Sequence, residues 1–138
     1  MAYLLDTCLL SEVWKPAPNQ GVIEWLSSSA EDELFLSVLT LGELKKGIER
    51  LPTGKKRDRI TSDYGLLRSR FSSRVLPISD LVAERWGGLA AAAGDAGRHL
   101  HVVDGLIAAT ALIAGLTVVT RNVDDFAPAP VPILDPWT

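Results

Sequence analysis

The chain has 138 residues, 47% of them hydrophobic, which is enough for one globular domain with its own core and too few for two. A net charge of −3 excludes a polycation bound to nucleic acid over its whole surface, and no run approaches the roughly 18 apolar residues of a membrane span. The single cysteine, Cys8, has no partner for an internal disulfide and suits a reducing compartment, so a cytoplasmic protein is expected.

Asp6 interrupts the opening apolar run, which also lacks a basic start, so no signal peptide is expected there. Ala2-Tyr-Leu-Leu5 is too short for an amphipathic helix and reads as a buried strand of a parallel sheet. After Asp6-Thr7, the segment Cys8–Trp14 has a short helical pattern stopped by Pro16 and Pro18. A second helix is expected over 20–30, with Val22, Ile23 and Leu26 at helical spacing.

Leu34–Ser37 reads as the second strand. Thr40-Leu-Gly-Glu43 has capping-box spacing and predicts a helix from Thr40 to about Arg50, broken at Pro52-Thr-Gly54. Residues 55–72 form a basic amphipathic pattern with Ile60, Tyr64, Leu67 and Phe71 on one face. Arg74–Ile78 is a third strand, and Pro77 places it at an edge or a strand end. Asp80 is expected to cap an alanine-rich helix to about Gly94. Asp104 opens an apolar helix that Gly115 ends. Leu116–Thr120 is the fourth strand, Arg121–Phe126 a polar turn, and Val131–Leu134 a last short strand. Strands alternating with helices predict a parallel sheet covered on both faces.

In such sheets ligands bind just beyond the carboxyl ends of the strands. Asp6 ends the first strand, Glu43 lies in the helix after the second, Asp104 begins the helix before the fourth, and Thr120 and Asn122 follow the fourth. Taken singly, each acid has an ordinary structural role: Asp6 and Asp104 as helix caps, Glu43 as the acid of a capping box. Taken together they would repel one another, and a hard divalent cation such as Mg²⁺ or Mn²⁺ relieves that conflict while leaving positions for phosphate. Metal-assisted attack of water on a phosphodiester is the chemistry this arrangement offers.

The residues also carry a resemblance. Leu4-Leu-Asp6-Thr-Cys-Leu-Leu-Ser-Glu12, Thr40-Leu-Gly-Glu43-Leu, Asp104-Gly-Leu-Ile-Ala-Ala-Thr110-Ala and Thr120-Arg-Asn122-Val-Asp-Asp125-Phe resemble, in order, the successive motifs of PIN domains. The similarity is strongest to the VapC toxin branch that includes FitB-like proteins, which the closing Pro136-Trp137 also resembles. It covers essentially the whole chain, residues 1–138, as one domain. It implies a PIN-like three-layer α/β/α sandwich with a short, mostly parallel central sheet, and a magnesium-dependent endoribonuclease acting as the toxin of a type II toxin–antitoxin pair. It further implies a homodimer and a cognate VapB-like antitoxin; an apolar groove near Trp14 and Trp25, aromatic residues that equally suit the core, is the expected seat of the segment that blocks the acidic cleft. Asp6, Glu43 and Asp104 match the family's metal-binding acids. Either Asn122 or Asp125 supplies the fourth group, and Thr120 orients water or Asp6. Cys8 stands where many relatives have Asn and is given no chemical role.

Charge is distributed unevenly. Residues 45–74 hold ten basic residues against three acids, a segment of +7, whereas the rest of the chain sums to −10. A basic lobe beside an acidic cleft suits an RNA-cutting enzyme, and Lys55, Lys56 and Arg57, with Arg121 beside the cleft, are the expected RNA contacts. His99 and His101 lack the partners of a zinc motif and read as loop residues. Two other readings stay in view. One is a phospho-acceptor domain, which wants paired acids after the first strand and a late lysine, yet no lysine follows Arg74. The other is a non-catalytic module that binds nucleic acid or an antitoxin around a vestigial site.

Overall fold

Residues 1–138 are described by a computed structural model as five strands and seven helices. In chain order they are β1 (Tyr3–Leu5), α1 (Thr7–Val13), α2 (Gln20–Ser28), β2 (Leu34–Ser37), α3 (Val38–Glu49), α4 (Lys55–Arg70), β3 (Val75–Leu76), α5 (Asp80–Asp95), α6 (Val102–Ala114), β4 (Thr117–Val119), α7 (Val123–Phe126) and β5 (Ile133–Leu134). A single 3-10 turn over Glu31–Glu33 leads into β2. No helix is long and apolar enough to cross a membrane.

All neighbouring strands are parallel, in the order β3-β2-β1-β4-β5. Successive residues of a strand face opposite sides, so each short apolar run supplies two cores. Leu4 and Val118 pack with Val82 and Leu89 of α5, Ile107 and Ala111 of α6, and Phe126. Their neighbours Leu5 and Val119 face the other way and pack with Leu9 and Leu10 of α1, Val22 of α2, Leu44 of α3 and Phe71. This alternation makes the three layers. Pro77 follows β3 directly, and β3 is an edge strand, as the proline requires.

Three helix starts differ from the sequence expectation. Ser37, not Thr40, caps α3: its hydroxyl accepts from the Leu39 amide at 3.1 Å, because β2 passes into the helix with no loop between. Thr40 is therefore inside the helix, 1% exposed, and Glu43 lies in the second turn rather than in a capping box. Ser79, not Asp80, caps α5, accepting from the Val82 amide at 3.3 Å. Asp104 is the third residue of α6 and not its cap, which is His101. The expected stop at Gly115 is present: its φ of 70° lies in the left-handed region, and Leu116 N donates to Ala111 O at 2.8 Å. Gly105 admits α5 closely, since a Cβ there would fall 2.8 Å from Trp86 Cδ1.

The candidate acidic site

The strand order places the site. The chain winds outward from β1 to β2 to β3, then returns to β4 on the opposite side of β1. That reversal is a switch point, where a cleft opens beyond the strand ends. Asp6 follows β1 and Thr120 follows β4, and the Asp6 amide donates to Val119 O at 3.0 Å, so the sheet itself sets their separation.

Asp6 is 6% exposed and fully engaged. One carboxylate oxygen, Oδ1, accepts from the Thr7 amide at 2.9 Å, which makes Asp6 the cap of α1. The other, Oδ2, accepts from Thr120 Oγ1 at 2.8 Å. Thr120 is completely buried, and its hydroxyl oxygen accepts in turn from the Asn122 amide at 3.0 Å. Thr120 thus orients Asp6, and Asn122 enters this network through its backbone. Burial raises the Asp6 pKa above its ordinary value against these hydrogen bonds, with the Glu43 charge adding to the rise.

Two contributors had no signal in the sequence. Thr7 Oγ1 donates to Glu43 Oε1 at 2.7 Å and joins the start of α1 to α3. The Cys8 thiol is 3.4 Å from Thr120 Oγ1 and 3.7 Å from Asp6 Oδ2. Burial pushes the thiol pKa up, so Cys8 is a neutral group beside Asp6. A Thr or Cys in a first helical turn is ordinary, and only the juxtaposition of remote segments gives either one a role.

Asp104, half-buried in the first turn of α6, faces the same cleft electrostatically. Its pKa is pushed up to about 6, first by burial and then by the charges of Asp6 and Asp125, with a smaller contribution from Glu43 that His101 opposes. Four carboxylates therefore act on one another here: Asp6 buried, Asp104 half-buried, Glu43 and Asp125 exposed. No three of the chain's His, Cys, Asp and Glu side chains stand close enough to hold a cation as they are placed. The donor set nevertheless fits a hard divalent ion. It is composed of carboxylate oxygens, whose mutual repulsion adds to the burial that raises Asp104.

From this cleft a groove of about 800 Å³ runs between α1, α3 and α4. Thr7 and Glu43 line its acidic end, and Lys55, Lys56 and Arg59 its basic end, over a floor that includes Trp14, Leu44 and Ile48. A second groove of about 850 Å³ shares Trp14 and Arg59 and continues to Leu66 and Leu67. Of the expected RNA contacts, Lys55 and Lys56 are exposed on the first groove. Arg57 is turned to the protein, donating to Glu49 Oε2 and Leu51 O at 3.2 Å each. Arg121 is exposed and directly follows Thr120, with its guanidinium over the ring of Trp137. Trp14 lines both grooves, whereas Trp25 packs edge-on against Tyr3 at 5.0 Å and belongs to the core margin. His99 and His101 are exposed, with ring nitrogens 3.2 Å apart.

Fold and site together define a three-layer α/β domain with an acidic cleft at the switch point of its parallel sheet. A family model described as the PIN domain matches residues 3–130. The chain is 37% identical over 136 residues to the VapC ribonuclease Y4jK of Sinorhizobium fredii, covering 97% of this chain and 96% of that one. It is 36% identical over 136 residues to the toxin FitB of Neisseria gonorrhoeae, covering 97% of each. A solved structure of FitAB bound to an IR36 DNA fragment superposes with a TM-score of 0.93 at 34% identity, covering 99% of this chain and 96% of that one. The chain belongs to the PIN-domain family.

Proposed function

We propose that this protein is a metal-dependent endoribonuclease, with Mg²⁺ as the ion, and the toxin of a type II toxin–antitoxin pair. The observation that carries the reading is the set of four mutually repelling carboxylates at the switch point, one of which, Glu43, lines a groove that leads to a basic helix. Asp6, Glu43 and Asp104 would hold the ion, with Asp125 or Asn122 as the fourth group. When bound, Mg²⁺ (or Mn²⁺) supplies the positive charge that lets these acids ionise together and the Lewis acidity that hydrolysis of a phosphodiester requires.

The chain's own residues do the rest. Thr120 holds one oxygen of Asp6 and the Thr7 amide holds the other, so this carboxylate has a fixed direction. Thr7 fixes Glu43 across the cleft. Lys55 and Lys56 bind backbone phosphates of the strand as it leaves the cleft, and Arg121 binds one beside it. Arg57, paired with Glu49, holds the start of α4 against the end of α3 and keeps its neighbours on the groove. No side chain serves as a nucleophile.

The antitoxin is a VapB-like partner that lays a segment along the apolar floor near Trp14 and closes the groove leading to the acids. The relatives' naming as a VapC ribonuclease and a FitB toxin, and the FitAB complex, support this pairing. Leu81, Val102 and Ile113, exposed on α5 and α6, give the opposite layer an apolar surface suited to a homodimer. A protein that meets RNA and an antitoxin would act in the cytoplasm.

A second reading, a non-catalytic module that binds nucleic acid or the antitoxin, is favoured by the open spacing of the acids. Purified protein and Asp104→Asn, prepared identically and given mixed RNA in Mg²⁺ or EDTA, separate the two. Cleavage that requires the metal and disappears in the variant is expected. Equal cleavage by both proteins, or RNA bound but left intact, overturns the nuclease reading.

A further inference from the structure

Arg121 is a cation next in sequence to the acidic site, and it pairs with none of the acids there. It follows Thr120, whose hydroxyl holds Asp6, and it closely precedes Asp124 and Asp125 in sequence. The ion pairs of the chain involve Lys15, Lys45, Arg57, Arg70, Arg74 and the first amino group, and not Arg121. Its guanidinium carbon lies instead 5.9 Å over the ring of Trp137. An aromatic face holds a guanidinium without occupying its N–H donors, which stay available for an incoming oxyanion. A carboxylate in the same place would compete with that oxyanion.

Trp137 is itself held from behind. Its indole N–H donates to Glu12 Oε1 at 3.3 Å. Glu12, on α1 and only 6% exposed, also accepts from Lys15 Nζ and from the Asn19 amide, both at 3.0 Å. The flanking backbone has a seat of its own. Asn19 Nδ2 donates to Thr138 O at 3.0 Å, and Thr138 N donates back to Asn19 Oδ1 at 3.2 Å. Gly21 makes room for it, since a Cβ there would fall 2.4 Å from Pro136 O and 2.6 Å from Thr138 Cγ2. Residues 136–138 are thus clasped to α1 and the start of α2, and the one charged group resting on the indole face is Arg121.

We propose that Trp137 is a positioning residue for substrate binding: clasped by Glu12, Asn19 and the space above Gly21, its ring holds the guanidinium of Arg121, next in sequence to the acidic site, to receive an RNA phosphate. This rests on the ribonuclease reading given above. An unrestrained arginine loses side-chain freedom when it binds, and a ring that already confines it removes part of that loss. The benefit is therefore felt in binding and not in the chemical step.

The test is steady-state cleavage of a single-stranded RNA oligonucleotide in Mg²⁺ across a salt series, by the full chain, Arg121→Ala, Trp137→Leu, the double variant and Gly21→Ala. Trp137→Leu should raise KM about 2- to 5-fold, the size of an exposed cation–π contact, and leave kcat nearly unchanged. Arg121→Ala should reduce the salt slope of kcat/KM by about 0.7, the value for one phosphate contact on a single strand. The double variant should be no worse than Arg121→Ala alone, because Trp137 acts through it. Gly21→Ala, which unseats residues 136–138 away from the cleft, should reproduce the KM effect of Trp137→Leu, and it carries the test if the latter does not fold. Effects that multiply in the double variant, a KM that falls on losing the ring, or a lower kcat at unchanged KM would each overturn the proposal. A parent chain that leaves RNA intact, or one that Asp104→Asn matches, defeats the ribonuclease reading itself and the proposal with it.

Discussion

Replacing Asp104 by Asn should stabilise the metal-free protein while abolishing cleavage. Burial and the charges of Asp6, Asp125 and Glu43 raise the Asp104 pKa from 3.8 to about 6. At 1.36 kcal/mol per pH unit, that rise corresponds to roughly 3 kcal/mol of penalty on the ionised, folded form. Asp104 is only half-buried, and solvent screening reduces the figure to about 1–2 kcal/mol. The folded pKa is raised, so the penalty is absent below the unfolded value, grows between about pH 4 and 6, and is complete above pH 6. Asparagine has the shape of the protonated acid and makes no charge to repel. In EDTA at pH 7.5 the variant should therefore melt about 3–6 °C above the parent chain, and the gap should close as the pH falls toward 4. Melting curves followed by circular dichroism across that range decide the matter. A variant that melts at or below the parent at pH 7.5, or a gap that persists at pH 4, would refute the account of a strained acid cluster. Added Mg²⁺ should raise the melting point of the parent more than that of the variant.

Thr120→Val keeps the volume but removes the hydrogen bond to Asp6 and the acceptor of the Asn122 amide; it should cost about 2–3 kcal/mol in urea unfolding and lower cleavage by misdirecting Asp6. Gly105→Ala places a methyl 2.8 Å from Trp86 Cδ1 and should cost about 1–3 kcal/mol, seen as a lower urea midpoint. Lys55→Ala with Lys56→Ala should weaken RNA binding and reduce the salt slope by about 1.4, at roughly 0.7 per phosphate; unchanged salt dependence would remove the basic end of the groove from the substrate path.

The strands, with Asp6 and Thr120 at their ends, were legible because apolar runs that stop at a polar residue have a strong physical reason to be parallel strands. The helix caps were less so. Ser37 closes a strand and caps a helix at once, leaving no loop to mark the boundary, so the Thr40–Glu43 spacing imitated a helix start one turn late. Asp80 and Asp104 likewise belong to first turns, where an acid favours the helix dipole without capping. Arg57 shows the limit of reading charge as function. Its neighbours face the groove, but its own guanidinium has Glu49 within 3.2 Å. The Thr7–Glu43 and Trp137–Glu12 contacts span 36 and 125 residues, and no local pattern encodes them.

The position of β1 in the middle of the sheet has a consequence for biosynthesis. Tyr3–Leu5 is made more than a hundred residues before β4, one of its two flanks, with which it pairs Tyr3 to Thr117 and Leu5 to Val119. Asp6 therefore waits for Thr120, and a ribosome-bound chain shorter than that carries its acids without the frame that aims them. Such long-range parallel pairing is also slow to form. A nuclease built this way stays inert until β4 has been made, which leaves an interval for a partner made alongside it to be waiting.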